Sequence, residues 1–350
     1  MAKIEQIPVL KNVLITCFSS LGDVAMTIPV VYPLCEANPQ VRFVLATDKQ
    51  KEGIFINHPA NLNVLGIDMS RYKCLTGPYK LARNLQHRYY FDGVADLQNV
   101  KFTKAMASSL KRKGVTVAVI DKGEKEKQRL ISGKTREPVK STHERYRTVF
   151  EQLGLKTGND FINIFDNGKE PRSPLVPSKS ENERWIAIAP FAQHQGKMYP
   201  LEQMQLVIAE LARWESVHIL LFGGGEKEKE AFDSIMRRYT NVISLPHIKH
   251  TFADELLMMR RCDVMLTMDS ANMHLASLVE LPVVSMWGPT HPSCSSMGWG
   301  QATKDTVQLN LECRPCSVDG KKKCRYGDWH CMTDISPELI IEKIKRVLDR

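Results

Sequence analysis

Short, unbroken apolar runs alternate with longer helix-permissive stretches along most of the chain. In the first half, residues 13–18, 41–46, 91–96 and 115–120 are such runs. A helical pattern follows the first and ends near Asn38-Pro39, and the basic stretch 101–113 separates the last two. In the second half, 185–189, 217–222, 263–268 and 283–287 read as strands, and 201–214, 226–239, 253–261 and 271–280 as helices. Continuously apolar strands joined by helices predict parallel sheets covered on both faces.

Two polar breaks interrupt the pattern. Residues 130–145 carry Gly133, Pro138 and many charges, which predicts a mobile loop leading into a helix over 143–153. Residues 166–184 carry Pro171, Pro174 and Pro177 and read as an interdomain linker. The expected organisation is a Rossmann-like domain over 1–170 and a second over 185–335. The amphipathic, basic helix at 337–348, within a 336–350 tail, is expected to pack back on the first domain. A chain of 350 residues suits two domains of ordinary size. In such folds ligands lie at the carboxyl ends of the strands.

Composition narrows the function classes. Hydrophobic content of 43% with 25% charge is that of a soluble globular protein and excludes a disordered one. No apolar run reaches the ~18–20 residues that span a bilayer. Residues 1–11 lack a secretory signal, so a cytoplasmic location is expected. The net charge of +9 favours anionic partners such as nucleic acid, phosphorylated sugars or an anionic membrane surface, although a solvated basic surface reads equally well. Nine cysteines in a cytosolic chain read as reduced thiols or metal ligands rather than disulfides.

Three strand ends of the second half run into small polar residues and then a helix: 190–197, 223–226 and 269–274. Helix N-termini carry unpaired amides and partial positive charge, and so suit phosphate. Lys197 adds a full positive charge, and His274 a donor one turn into its helix. Asp269 and Glu226 are candidates for ribose hydroxyls, and Ser270 offers a hydroxyl beside its amide. Each has a bland reading: Asp269 as an N-cap, His274 as a packed helix residue. Gly223–Gly225 lacks the full dinucleotide spacing, which counts against NAD. Together, a base, an imidazole and two carboxylates at strand-turn-helix junctions fit a nucleotide diphosphate.

The first strand of the other half ends in Ser19-Ser20-Leu21-Gly22-Asp23. Asp23 reads equally as an N-cap and as a general base that takes the proton of an attacking hydroxyl.

These residues resemble glycosyltransferase family nine, the ADP-heptose lipopolysaccharide heptosyltransferases. The resemblance rests on Leu21-Gly22-Asp23 with Thr27-Ile28-Pro29, on Lys197-Met198-Tyr199-Pro200 and on Asp269-Ser270-Ala271-Asn272-Met273-His274. It continues through Trp287-Gly288-Pro289-Thr290 to Cys313-Arg314-Pro315-Cys316, Cys324-Arg325-Tyr326-Gly327 and Cys331. It covers nearly the whole chain. It implies an α/β fold of two Rossmann-like domains facing across a cleft (the GT-B fold) and metal-independent inversion at the anomeric carbon. By similarity Asp23 is the catalytic base and Lys197 clamps the donor diphosphate. Asp269 serves the ribose, with Ser270, Ala271 and His274 near the phosphates. Ala271 stands where many relatives have glycine, and Tyr199 where tryptophan is usual.

The expected reaction moves a heptose or related sugar from an ADP-sugar to a lipopolysaccharide core acceptor. No cofactor is expected beyond this co-substrate, which the same resemblance implies is ADP-heptose. Alternatives are another nucleotide sugar or envelope glycan on the same scaffold and, distantly, a basic nucleic-acid-binding protein. The low aromatic content, 7%, and the dispersal of basic residues argue against nucleic acid. Lys101, Lys104 and Arg145 are the expected contacts to an anionic glycolipid acceptor, and peripheral contact with the inner face of the inner membrane is expected with it. Cys313-x2-Cys316 has zinc-ligand spacing, but Cys324 and Cys331 lack the second tight pair, so packed free thiols and no metal are expected.

Overall fold

A computed structural model describes residues 10–158, 161–166, 170–294 and 296–350. The chain divides into two compact units, residues 1–122 with 140–167, and residues 123–139 with 168–350.

In the first unit, strands β1 (Asn12–Thr16), β2 (Arg42–Asp48), β3 (Leu62–Ile67), β4 (Gly93–Asp96) and β5 (Thr116–Val119) form one sheet in the order β3-β2-β1-β4-β5. Every pairing is parallel. Helices α1 (Leu21–Ala25), α2 (Ile28–Ala37), α3 (Gly77–Tyr89) and α4 (Lys101–Lys111) connect the strands. Helices α3 and α4 lie side by side and bury Leu81, Leu85, Met106 and Leu110 against Leu14, Val44 and Val94.

Helix α5 (Glu124–Ile131) belongs to the second unit, and α6 (Thr142–Gln152) to the first. The stretch read as a mobile loop therefore begins inside a helix, and it is anchored: the Val139 amide donates to the Ser293 carbonyl at 3.0 Å. Ser141 starts α6 with a capping box. Its hydroxyl accepts from the Glu144 amide at 3.2 Å, and Glu144 accepts the Ser141 amide at 2.8 Å. These bonds, with the Ser141 hydroxyl first among them, hold the Glu144 carboxyl below its usual range.

The second unit contains β6 (Arg184–Ala189), α7 (Leu201–Leu211), β7 (Val217–Leu221), α8 (Glu226–Met236), β8 (Val242–Ser244), α9 (Phe252–Arg261), β9 (Val264–Met268), α10 (Ala271–Ser277), β10 (Val283–Met286), β11 (Thr306–Val307), α11 (His330–Thr333) and α12 (Pro337–Leu348). Its sheet is again all parallel, in the order β11-β10-β9-β6-β7-β8. Read from β8 this is the 3-2-1-4-5-6 order of a Rossmann sheet, and the first sheet has the same order one strand shorter. The expected α/β class with two Rossmann-like domains is what the chain adopts.

Helix α12, expected on the first domain, instead buries Ile340, Ile344 and Val347 in the core of the second unit beside Met204, Val264 and Met332. Its Ser336 cap bonds the Leu339 amide at 3.3 Å. Among the described residues no helix is long and apolar enough to cross a membrane.

Candidate active site

In a doubly wound sheet the strand order reverses between the first strand and the first strand added on its other side, and the loops leaving these two strands part to open a crevice. In the first unit those strands are β1 and β4, and in the second β6 and β9. The candidate residues cluster on these loops.

After β1, Ser20 caps the short helix α1 and accepts from the Asp23 amide at 3.3 Å. Its hydroxyl donates to Asp23 Oδ2 at 2.9 Å, and the Ser19 hydroxyl donates to the same oxygen. Among the described residues Oδ1 of this half-buried carboxylate receives no hydrogen bond. The Asp23 carbonyl accepts from the buried Tyr146 hydroxyl at 3.3 Å. Burial, with Asp23 second, pushes the neighbouring Cys17 thiol up to about 12, so it stays neutral. The N-cap is therefore Ser20 and not, as the plainer reading has it, Asp23; Asp23 is the third residue of the helix, with one oxygen turned to Ser19 and Ser20.

The loop after β4 braces this turn. Asp96 is fully buried, and its Oδ1 accepts from the amides of Gln98 at 3.0 Å and Asn99 at 2.9 Å. Gln98 Oε1 accepts from the Phe18 amide at 2.9 Å, and the Thr16 hydroxyl reaches Asp96 at 3.4 Å. Neither Asp96 nor Gln98 stood out in the sequence, since Asp96 is one polar residue closing an apolar strand and Gln98 one polar residue of the loop after it.

In the second unit Lys197 leaves the loop after β6. Its Nζ lies 2.8 Å from Asp269 Oδ2 and donates to the Asp269 carbonyl at 3.2 Å. Both side chains are largely buried, at 16% and 5% exposure. Asp269 follows β9, and its amide donates to the Met286 carbonyl at 3.1 Å. Ser270 then starts α10 without a side-chain cap, its hydroxyl paired with the Thr267 hydroxyl at 3.1 Å. The amides of the first turn therefore have no partner within the helix, and they carry its positive end. Ala271 is half-buried in this turn and His274 is buried one turn in. The structure thus brings Lys197, Asp269 and the α10 start together on adjacent strands.

Glu226 is placed differently. It is 82% exposed and paired with Lys229 at 3.0 Å, whereas Glu228 turns back to accept the Gly224 amide at 2.7 Å. Burial holds the Glu228 carboxyl above its usual range. Of the bases expected near an acceptor, Lys101 and Lys104 are exposed on α4. Arg145 is buried, its Nε donating to the Lys140 carbonyl at 3.0 Å and its Nη1 to the Asp121 carbonyl at 3.2 Å. That guanidinium fastens the start of α6 to the end of β5, a task that any accounting of buried donors requires.

The cysteine segment forms the support of the lysine. A Cβ on Gly196 would fall 2.2 Å from the Trp329 ring, and one on Gly320 would fall 2.7 Å from Lys197 Cγ. Gly320, at φ +81°, lies against the aliphatic stem of Lys197. Arg314 ties the segment to the loop after β10 through the carbonyls of Gly288 and Thr290, and to the chain just past β11 through that of Leu309. Tyr199, the departure from tryptophan, donates to the Ile335 carbonyl at 2.7 Å. All four thiols are free, with Cys331 buried and Cys313, Cys316 and Cys324 half-buried. Among the described residues no group of three or more His, Cys, Asp or Glu side chains is arranged to hold a metal ion.

Residues 79–330 match the model of glycosyltransferase family 9 (heptosyltransferase). Lipooligosaccharide heptosyltransferase 2 of Campylobacter jejuni serotype O:2 is 26% identical over 344 residues, covering 94% of this chain and 95% of that protein. The structure is similar to E. coli heptosyltransferase WaaC with ADP, with a TM-score of 0.67 at 17% identity, covering 96% of this chain and 99% of that one. It is equally similar to a glycosyl transferase family 9 structure from Veillonella parvula, with a TM-score of 0.68 at 18% identity over 97% of each chain. With most of its length under the family model and both Rossmann-like sheets in place, the chain belongs to glycosyltransferase family 9, the heptosyltransferases.

Proposed function

We propose that the protein transfers a heptose from ADP-heptose to the core of a lipopolysaccharide acceptor, inverting the anomeric centre and using no bound metal. The observation that carries this reading is the Lys197–Asp269 pair, held at 2.8 Å at the uncapped start of α10, beside the strand where the sheet order reverses. The proteins to which this chain is similar support the donor and the acceptor class: E. coli heptosyltransferase WaaC with ADP and with ADP-2-deoxy-2-fluoro heptose, and two Campylobacter jejuni lipooligosaccharide heptosyltransferases.

In this reading the acceptor hydroxyl oxygen forms a bond to the anomeric carbon as the bond to the diphosphate oxygen breaks. Attack from the face opposite the leaving group inverts the centre. Asp23 takes the hydroxyl proton on Oδ1, while Ser19 and Ser20 keep the carboxylate turned by holding Oδ2. The electron pair of the broken bond leaves with ADP. Its growing charge is met by Lys197, by the amides of Ser270 and Ala271 and by His274, all fixed before the reaction begins. Asp269 holds Lys197 in place and accepts from the ribose. Glu226 is a more distant donor contact, reached by the Gly223–Gly225 turn. Lys101 and Lys104 serve the anionic acceptor, and Arg145 serves it as a positioning residue. The enzyme works at the inner face of the membrane that holds its acceptor.

Thermal-shift titration with ADP, UDP and GDP tests the donor. ADP at ~100 times its Kd stabilises by about 2.7 kcal/mol, and UDP and GDP at the same concentration do less. Equal stabilisation by all three would remove the adenine-specific reading.

A further inference from the structure

One face of the first unit is poor in acid. Residues 69–91 contain Arg71, Lys73, Lys80, Arg83 and Arg88 and no Asp or Glu, and of these five Arg71 pairs with Asp68, just ahead of the segment, at 3.1 Å. Residues 97–120 contain five more Lys or Arg and again no Asp or Glu. These segments hold α3 and α4, which pack side by side over the same face of the sheet. All ten cations are exposed. The two carboxylates between the segments point elsewhere: Asp92 accepts the amides of Lys11 and Asn12, and Asp96 is fully buried.

Apolar groups stand out of this basic surface. Leu75, just ahead of α3, is 96% exposed, and Tyr79 on its first turn is 44% exposed. On α3, Tyr79, Arg83 and His87 follow one another at a spacing of four, so aromatic and basic groups share one outward stripe. An aliphatic side chain left almost wholly in water is a poor feature for a solvated surface. It suits the boundary between headgroups and acyl chains, where Leu enters, Tyr sits at the interface and Lys and Arg meet phosphate.

We propose that the α3–α4 face, led by Leu75, docks the protein onto a bilayer of anionic phospholipid. The proposal extends the reading of a lipid-linked acceptor by naming the surface that meets the membrane, and its charge complementarity selects the occupant. What selects lipid over nucleic acid is Leu75, since a bare aliphatic side chain enters acyl chains but gives no face on which a base can stack.

Co-sedimentation of the full chain with phosphatidylglycerol–phosphatidylcholine vesicles, and with phosphatidylcholine alone, tests it. Binding is expected only to the anionic vesicles and is expected to fall with salt. The double variant Lys80→Glu/Arg83→Glu should bind at least roughly tenfold more weakly, in line with the strength of each basic contact. Leu75→Ser should weaken binding while leaving its salt dependence unchanged, and Lys249→Glu, an equal charge change in the second unit, should have no effect. A polarity-sensitive dye on Cys74, the exposed cysteine beside Leu75, should shift to the blue on anionic vesicles. Equal binding to both vesicle types, undiminished binding by the α3 variants, or displacement of vesicles by an oligonucleotide at lower concentration would overturn the proposal. ADP-induced stabilisation is read on the same samples. Its loss from the wild-type protein with vesicle binding intact would count against the transfer reading alone, and its retention in non-binding variants shows that they fold.

Discussion

At Asp23 two hydroxyls share one carboxylate oxygen, and the other oxygen is left to accept. This asymmetry orients a base without neutralising it, because each hydroxyl donates a hydrogen bond and no charge. Asp23→Asn is therefore expected to keep ADP binding and to lower kcat by ~10²–10⁴-fold, the scale of a lost general base. Calorimetric ADP titration beside a turnover assay reads both quantities, and near-normal turnover in the folded variant would take Asp23 out of the role. Lys197 and Asp269 raise a different issue, since both are buried and each depends on the other. Lys197→Ala leaves a carboxylate buried without its cation and is expected to cost about 3–5 kcal/mol of stability. The double variant Lys197→Ala/Asp269→Ala should recover part of that stability but not ADP affinity. Denaturant unfolding separates the two outcomes. Recovery of ADP affinity in the double variant would mean that the lysine is structural only.

Elements carry the second group of consequences. The lysine loop is positioned by the cysteine segment, which packs Trp329 onto Gly196 and Gly320 onto the lysine stem. Gly196→Ala puts a methyl into the Trp329 ring and is expected to cost about 1–3 kcal/mol, the usual range for overpacking. ADP affinity should fall with it, and Gly196→Ala/Trp329→Ala should restore stability more than either change predicts alone. On α9, burial pushes the Glu255 carboxyl up to about 7, with His250 opposing from 3.9 Å. The folded pKa lies above the unfolded one, so this group's contribution is fully present below about pH 4.5 and is lost as pH rises through about 7. Glu255→Gln is thus expected to stabilise at pH 8 by a few kcal/mol and to change little at pH 4.5, as thermal unfolding across that range will show. An equal effect at both values would place the carboxyl in an ordinary solvated state.

Elements are also where the sequence was most and least legible. The interior strands β6, β7, β9 and β10 were readable because both of their faces are buried, which leaves unbroken apolar runs such as Trp185–Ala189. The edge strands β3 and β8 were not. Asn63 and Ile243 face solvent, and Gly66 interrupts β3, so no run forms. Helix α3 was hidden for a related reason: it buries only Gly77, Pro78, Leu81, Ala82 and Leu85, and the rest is polar or basic. In the site, Lys197, Asp269 and Asp23 were visible because each sits in a short motif, residues 197–200, 269–274 and 21–23, that follows an apolar strand, whereas Asp96 has no such motif around it. The burial of Arg145 was not legible, because a charge in a polar stretch gives no sign that backbone carbonyls of Lys140 and Asp121 will take its guanidinium.

For the molecule as a whole, the two parallel sheets repeat one topology, and each places its candidate chemistry on the loops where the strand order reverses. The division of labour proposed here gives the base to one unit and the diphosphate contacts to the other. The +9 charge is unevenly used: the α3–α4 surface is rich in cations and poor in acid, whereas carboxylates of the second unit such as Asp263, Asp269 and Asp305 are paired. The central claim is sugar transfer from ADP-heptose by this arrangement. The most direct test incubates the protein with ADP-heptose and a lipopolysaccharide truncated before its heptoses, in the presence of EDTA, and reads the acceptor by mass spectrometry. The account predicts the mass of one added heptose, release of an equal amount of ADP, and loss of both with Asp23→Asn. An unchanged acceptor mass with wild-type protein that binds ADP, or undiminished transfer by Asp23→Asn, would contradict it.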